Sequence, residues 1–118
     1  MNIEEFRDYC LAKPGTTEGT PFGPDTLVLK VMNKMFALTG IEVFDFVNLK
    51  CDPEYAIELR EKYDGNIRPG YHMNKKQWNS VDTDGSVPDD LIRELVDHSY
   101  DLVVSKFSKK MKDELKKL

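Results

Sequence analysis

The sequence predicts a two-layer α+β domain, an antiparallel sheet with helices on one face. Three observations predict it. Strand-like runs of four to nine residues are separated by tight turns. Stretches with apolar residues at helical spacing precede, interrupt and follow them. Apolar residues make up 40% of the 118 positions, enough for one buried core, so residues 1–118 read as a single domain.

Ile3, Phe6 and Cys10 recur at helical spacing, with Asn2 as the cap and Lys13-Pro14-Gly15 as the stop. Thr16 to Pro24 holds two prolines and two glycines and reads as a loop, one in which Phe22 must still find a place to pack. Leu27 to Met32 and Met35 to Leu38 are expected strands of a hairpin turning at Asn33-Lys34. After a turn around Gly40, Val43 to Cys51 is expected to return with Val47, Leu49 and Cys51 on one face.

Asp52-Pro53-Glu54 opens a helix: a capping acid, a proline at the first position and an acid in the first turn. Ala56, Leu59, Arg60 and Tyr63 share its face, and Asp64-Gly65 ends it. Ile67 to Met73 and Trp78 to Asp82 are expected to form a second hairpin, with Pro69 and Gly70 marking an edge or bulge. Pro88-Asp89-Asp90 opens a long helix with a stripe through Leu91, Ile92, Leu95, Ser99, Leu102 and Val103. Phe107, Met111, Leu115 and Leu118 continue the spacing among lysines, on the same helix or a second one. The expected order is α-β-β-β-α-β-β-α.

Several classes of chemistry find no support. No apolar run is long enough to span a membrane, and the start Met1-Asn2-Ile3-Glu4-Glu5 lacks the basic and apolar regions of an export signal, so a cytoplasmic protein is expected. Cys10 and Cys51 form no metal-binding spacing and read as small buried hydrophobes; neither metal nor cofactor is expected. His72 and His98 sit beside no recognisable nucleophile, and structural roles are expected for both. Asp82-Thr83-Asp84-Gly85 resembles part of a calcium loop, but its glycine falls at position four and Arg93 at twelve, so it reads as a turn. Gly19-Thr20-Pro21-Phe22-Gly23 lacks the lysine of a phosphate loop. No catalytic residues are assigned and a non-enzymatic protein is expected.

Charge is distributed unevenly. The net charge is −4, yet Tyr100 to Leu118 holds six lysines against three acids, while the other residues carry 11 basic and 18 acidic side chains. The stretch Arg68 to Asn79 is basic and aromatic. Cations there can contact phosphates, whereas the plainer alternative makes Tyr71 and Trp78 core residues and the lysines guards of a sheet edge.

A family resemblance runs nearly end to end. Its residues are Pro21-Phe22-Gly23, Lys30 through Lys34-Met35-Phe36-Ala37, and Asn48-Leu49-Lys50-Cys51-Asp52-Pro53-Glu54. They continue with Pro69-Gly70-Tyr71-His72-Met73-Asn74-Lys75-Lys76, Trp78-Asn79, Asp84-Gly85, Pro88-Asp89, Ser99-Tyr100 and Leu102-Val103. In this order and spacing they resemble the MmcQ/YjbR family of small bacterial proteins. The resemblance implies a secretion-chaperone-like fold of the element order given above. It also implies the family's usual label of DNA-binding, drawn from the likeness of that fold to a double-wing module whose hairpins flank nucleic acid. Family members often have His before the Trp; Gln77 stands there in this chain, so a titrating or base-reading role does not carry over to that position.

Three functions are therefore expected to compete. The first is binding of duplex DNA by Lys30 and Lys34 at one hairpin, Arg68, Lys75 and Lys76 at the other, and Lys109 and Lys110 on the last helix. The second is a protein-interaction or chaperone-like dimeric module that meets a protein partner or a second copy of itself with the apolar stripe of the last helix. The third is a small-ligand site near Phe22, Tyr71 and Trp78.

Overall fold

The computed structural model describes residues 1–118. Helix α1 (Ile3–Leu11) starts at a reciprocal cap: Asn2 Oδ1 accepts from the Glu5 amide at 2.8 Å, and the Glu5 carboxylate accepts from the Asn2 amide at 3.3 Å. Strands β1 (Thr16–Gly19), β2 (Thr26–Val31), β3 (Lys34–Gly40) and β4 (Phe46–Lys50) follow. Helix α2 (Pro53–Lys62) begins where Asp52 Oδ2 accepts from the Tyr55 amide. Then come β5 (Ile67–Pro69), β6 (Trp78–Asp82), α3 (Asp89–Ser105) and α4 (Lys109–Lys116).

The six strands form one antiparallel sheet in the order β1-β2-β3-β4-β6-β5. Because side chains alternate across a strand, the sheet has an inner and an outer face. Leu27, Leu29, Val31, Val47, Leu49 and Val81 pack inward with the buried stripes of the helices, including Phe6, Leu59, Ile92 and Leu95. Val28, Leu38 and Trp78 form a second, smaller cluster on the outer face, to which no helix contributes. The expected α+β class, with helices on one face of the sheet, is the fold of the chain.

One bulge shapes the middle of the sheet. Leu29 pairs with Ala37 but Lys30 pairs with Met35, which leaves Phe36 as the extra residue. Ser99 on α3 satisfies the interrupted ladder: its hydroxyl donates to the Phe36 carbonyl at 2.6 Å and accepts from the Lys50 amide at 3.0 Å. His98 beside it accepts from the Asp52 amide at 3.1 Å, tying α3 to the start of α2.

Several local expectations need correction. Thr16–Gly19 is a strand where a loop was expected, because it pairs along β2 despite having no apolar residue of its own. The hairpin turns at Met32-Asn33, both at positive φ, one residue earlier than expected; Asn tolerates that region better than Lys. Strand β4 begins at Phe46 instead of Val43, and β5 ends at Pro69 instead of continuing to Met73. The chain leaves β5 because Gly70 lies against Trp78 and His72 adopts φ +59°. Phe22 does not pack into the core; 64% of it is exposed. The C-terminal stripe is not one helix face: Phe107 lies in the link between α3 and α4, Met111 and Leu115 lie on α4 and Leu118 lies beyond it, with Phe107 and Leu115 buried in the chain's own core and Leu118 exposed. No helix is long and apolar enough to cross a membrane.

Candidate functional site: a basic sheet end and an aromatic pocket

Antiparallel topology sorts the chain's charges. At one end of the sheet lie the end of β2, the start of β3, the end of β4 and the loop from β5 to β6, as the pairs Lys30–Met35, Lys50–Trp78 and Pro69–Asn79 require. This end carries Lys30, Lys34, Lys50, Lys75 and Lys76. The C-terminal part of α4 and Leu118 beyond it reach this end, since Leu115 and Leu118 approach Gly15 alongside Met32 of the turn. The opposite end holds the pairs Thr26–Gly40 and Phe46–Asp82. Around it lie Asp25, Glu42, Asp45, Asp82 and Asp84.

At the basic end, Lys34, Lys75 and Lys76 are exposed and Lys30 is half-buried; Lys109 and Lys110, at the start of α4, are exposed as well. None of these six is ion-paired; the chain's side-chain ion pairs involve Arg7, Lys13, Arg68 and Arg93. The loop carrying Lys75 and Lys76 is fixed from below. Arg60 on α2 donates to the Lys75 carbonyl and, at 2.7 Å, to Asn79 Oδ1, while the Cys51 amide donates to the Gln77 carbonyl at 2.7 Å. Arg60, which shares a face of α2 with Ala56, Leu59 and Tyr63, therefore braces this loop.

Arg68 stands apart from the lysines. Its Nη1 lies 2.6 Å from Asp82 Oδ1 and its guanidinium sits 5.1 Å from the centre of the Phe46 ring. An arginine neutralised by an adjacent carboxylate and packed on a ring is poorly placed to neutralise a phosphate.

The outer face also carries a pocket of about 470 Å³. Phe22 comes to it from the β1–β2 loop, Val43 and Asp45 from the β3–β4 turn, and Tyr71, His72 and Met73 from the loop after β5. Leu38, Phe46 and Asn48 lie on the sheet beneath. Asn48 and Ser80 hold the last wall in place. The Tyr71 amide donates to Ser80 Oγ at 3.0 Å, Asn48 Nδ2 donates to the Tyr71 carbonyl at 3.3 Å, and the Ser80 hydroxyl donates to Asn48 Oδ1. The Tyr71 ring meets Phe46 edge-on at 6.1 Å.

The structure thus brings Phe22 and Tyr71 to one cavity and leaves Trp78 out of its lining. Trp78 is buried beneath, in the cluster that Leu38 and Met73 share with the pocket. Phe46, His72 and Asp45 were not foreseen as neighbours. Tyr71-His72-Met73 read as strand, and a strand would have sent alternate side chains to opposite faces.

The remaining reactive groups are occupied or shielded. Burial pushes the thiols of Cys10 and Cys51 up to about 12 from 9.0. Asp84 accepts from the amide and hydroxyl of Ser86, which lowers its carboxyl, and so acts as a turn residue. No three His, Cys, Asp or Glu side chains gather as a metal-holding group.

Comparison with known proteins places this architecture. The YjbR family model matches residues 11–102. The uncharacterized protein YjbR of Escherichia coli strain K12 is 39% identical over 106 residues, 89% of each chain. The uncharacterized protein YyaQ of Bacillus subtilis strain 168 is 37% identical over 76 residues, 64% of this chain and 63% of its own. Among solved structures, Deinococcus radiodurans protein DR2400 superposes with a TM-score of 0.91 at 42% identity, covering 97% of this chain and 87% of that one. A Pseudomonas syringae protein superposes with a TM-score of 0.72 at 31% identity, over 86% and 98% of the two chains. With a matching family model across most of its length, the same fold and relatives near 40% identity, the chain belongs to the YjbR family.

Proposed function

We propose that the chain is a non-enzymatic, duplex-DNA-binding protein that grips phosphates with the basic end of its sheet. The observation that supports this reading is topological: the β2–β3 turn and the β5–β6 loop, both carrying lysines without ion-pair partners, lie at one end of the sheet in a chain whose net charge is negative. Lys34 leaves the β2–β3 turn, and Lys75 and Lys76 leave the β5–β6 loop. Strands are about 4.8 Å apart, so two to three strand spacings put these groups about 10–14 Å from one another. That span is comparable to a major groove about 12 Å wide. Lysines 109 and 110 extend the surface along α4. Arg68 is excluded from it by the ion pair with Asp82.

The acids at the far end give the surface a direction. A duplex is attracted to the lysines and repelled by Asp25, Glu42, Asp45 and Asp84, so it approaches from one side. Phosphate contacts of this kind position a protein without reading sequence. The mapping experiment is a nitrogen-15 NMR titration with a short duplex at low and moderate salt. Shifts at Lys34, Lys75, Lys76 and Lys109 that shrink with salt are expected. Absence of shifts at low salt, or shifts centred on the acidic end, would overturn the reading.

A further inference from the structure

We infer that the pocket on the helix-free face binds a small cationic molecule with a flat apolar body, of the class of aromatic amines. Its volume of about 470 Å³ lies within the range of roughly 300–1,000 Å³ common for small-molecule sites. Its rim is made of side chains that folding leaves open: Phe22 is 64% exposed, Val43 65% and Tyr71 59%. They come from three different loops yet converge on one cavity, a pattern that scattered surface hydrophobes do not produce.

The walls are fixed in advance. Beyond the Asn48–Ser80–Tyr71 network, the Ile41 amide donates to the Asp25 carbonyl at 2.9 Å, joining the other two loops. The Thr83 hydroxyl and amide donate to the carbonyls of Phe44 and Asp45 at 2.6 and 3.0 Å. A Cβ on Gly40 would collide with the Val43 carbonyl oxygen, so the turn is wound as tightly as glycine allows. A pocket held this way loses little entropy on accepting a ligand.

The charge around it selects the ligand. Asp45 is the only carboxylate in the lining, it has no ion-pair partner, and no lysine or arginine lines the cavity. The exposed rings of Phe22 and Tyr71 at the rim add aromatic surface, which attracts a cation, while the Phe46 ring already carries the Arg68 guanidinium. An ammonium near Asp45 with an aromatic body against these rings satisfies both features, whereas an anion finds no lysine or arginine in the lining and is repelled by Asp45. The site shares no residue with the lysines proposed to grip DNA, so it stands whether or not they do.

The test uses three probes of one shape: tryptamine as the cation, tryptophol as the neutral form and indole-3-acetate as the anion. Each is titrated by nitrogen-15 NMR at pH 8 against the full chain, Asp45→Asn and Phe22→Ala, both substitutions being at exposed positions. Saturable shifts at Asp45, Tyr71 and His72 are expected, with tryptamine at least about fivefold tighter than tryptophol and indole-3-acetate weakest. Asp45→Asn should remove the advantage of tryptamine over tryptophol, and Phe22→Ala should weaken both. Equal affinity for the three, preference for the anion, shifts outside the pocket or no binding at millimolar concentration would each overturn the inference.

Discussion

The Tyr71 amide donates to the Ser80 hydroxyl at 3.0 Å, and through this bond the loop after β5 folds back over the helix-free face of the sheet. Ser80 is fully buried and its hydroxyl proton goes to Asn48. Both the aromatic pocket and the path toward Lys75 and Lys76 depend on where this loop leaves the sheet. Ser80→Ala should therefore cost about 1–3 kcal/mol, the usual penalty for stranding buried polar partners. Urea denaturation measures the cost, and hydrogen exchange should show the Tyr71 amide losing protection. Unchanged stability with a protected Tyr71 amide would argue against the role given to Ser80.

Ser99 should behave similarly at the inner layer. Its hydroxyl serves the Phe36 carbonyl and the Lys50 amide together, so Ser99→Ala leaves a buried bulge carbonyl and a strand-end amide unpaired. A loss of about 1–3 kcal/mol is expected from equilibrium unfolding. A variant as stable as the parent would mean that water or a shifted backbone satisfies the bulge.

Gly70→Ala tests the loop from its other side. A Cβ there would lie 2.7 Å from Trp78 Cβ and 3.1 Å from Met73 Cβ. Overpacking of this kind costs about 1–3 kcal/mol. The single tryptophan gives a direct readout: lifting the loop exposes the Trp78 ring to water, and its emission should shift to the red. An unshifted spectrum would show that the loop tolerates the methyl group.

The two thiols should be inert in the folded protein and should shape its alkaline stability. Burial holds Cys10 and Cys51 up to about 12, against 9.0 for an exposed thiol. Between those values the unfolded chain has released protons that the folded chain retains. Stability thus falls as pH rises through this window, by at most about 1.4 kcal/mol per pH unit for each thiol. Tyr9, pushed up to about 12 by burial and by its hydrogen bond to Asp97, adds to the loss above pH 10. Urea midpoints from pH 7 to 11 should decline past pH 9, and a thiol reagent at pH 7.5 should label the chain fast only once urea is added. Rapid labelling of the native protein would contradict the burial of both groups.

Much of the helical layer can be read from the chain because its determinants are local. Asn2 with Glu5, and Asp52 with Pro53, announce two helix starts within four residues, and the stripe from Leu91 to Val103 repeats with the helical period. Strand β1 is invisible by the same logic, since Thr-Thr-Glu-Gly offers no apolar alternation and gains its form only by pairing with β2. The candidate surfaces lie deeper still. Phe22 and Tyr71 can be picked out as unusual residues, but their meeting depends on a backward-folding loop held by Asn48 and Ser80. That the lysines share an end depends on strand order, with β6 placed between β4 and β5. Neither relation leaves a mark at any fixed sequence spacing.

The central claim is most directly tested by the salt dependence of duplex-DNA binding, followed by fluorescence anisotropy of a labelled duplex. If Lys30, Lys34, Lys75, Lys76, Lys109 and Lys110 each neutralise a phosphate, the logarithm of the binding constant falls against the logarithm of salt with a slope of about −5. Lys75→Gln with Lys76→Gln should weaken binding and bring the slope about 2 units closer to zero, with little effect on the fold because both side chains are exposed. Binding absent at low salt, or a slope that the double substitution leaves unchanged, would contradict the account.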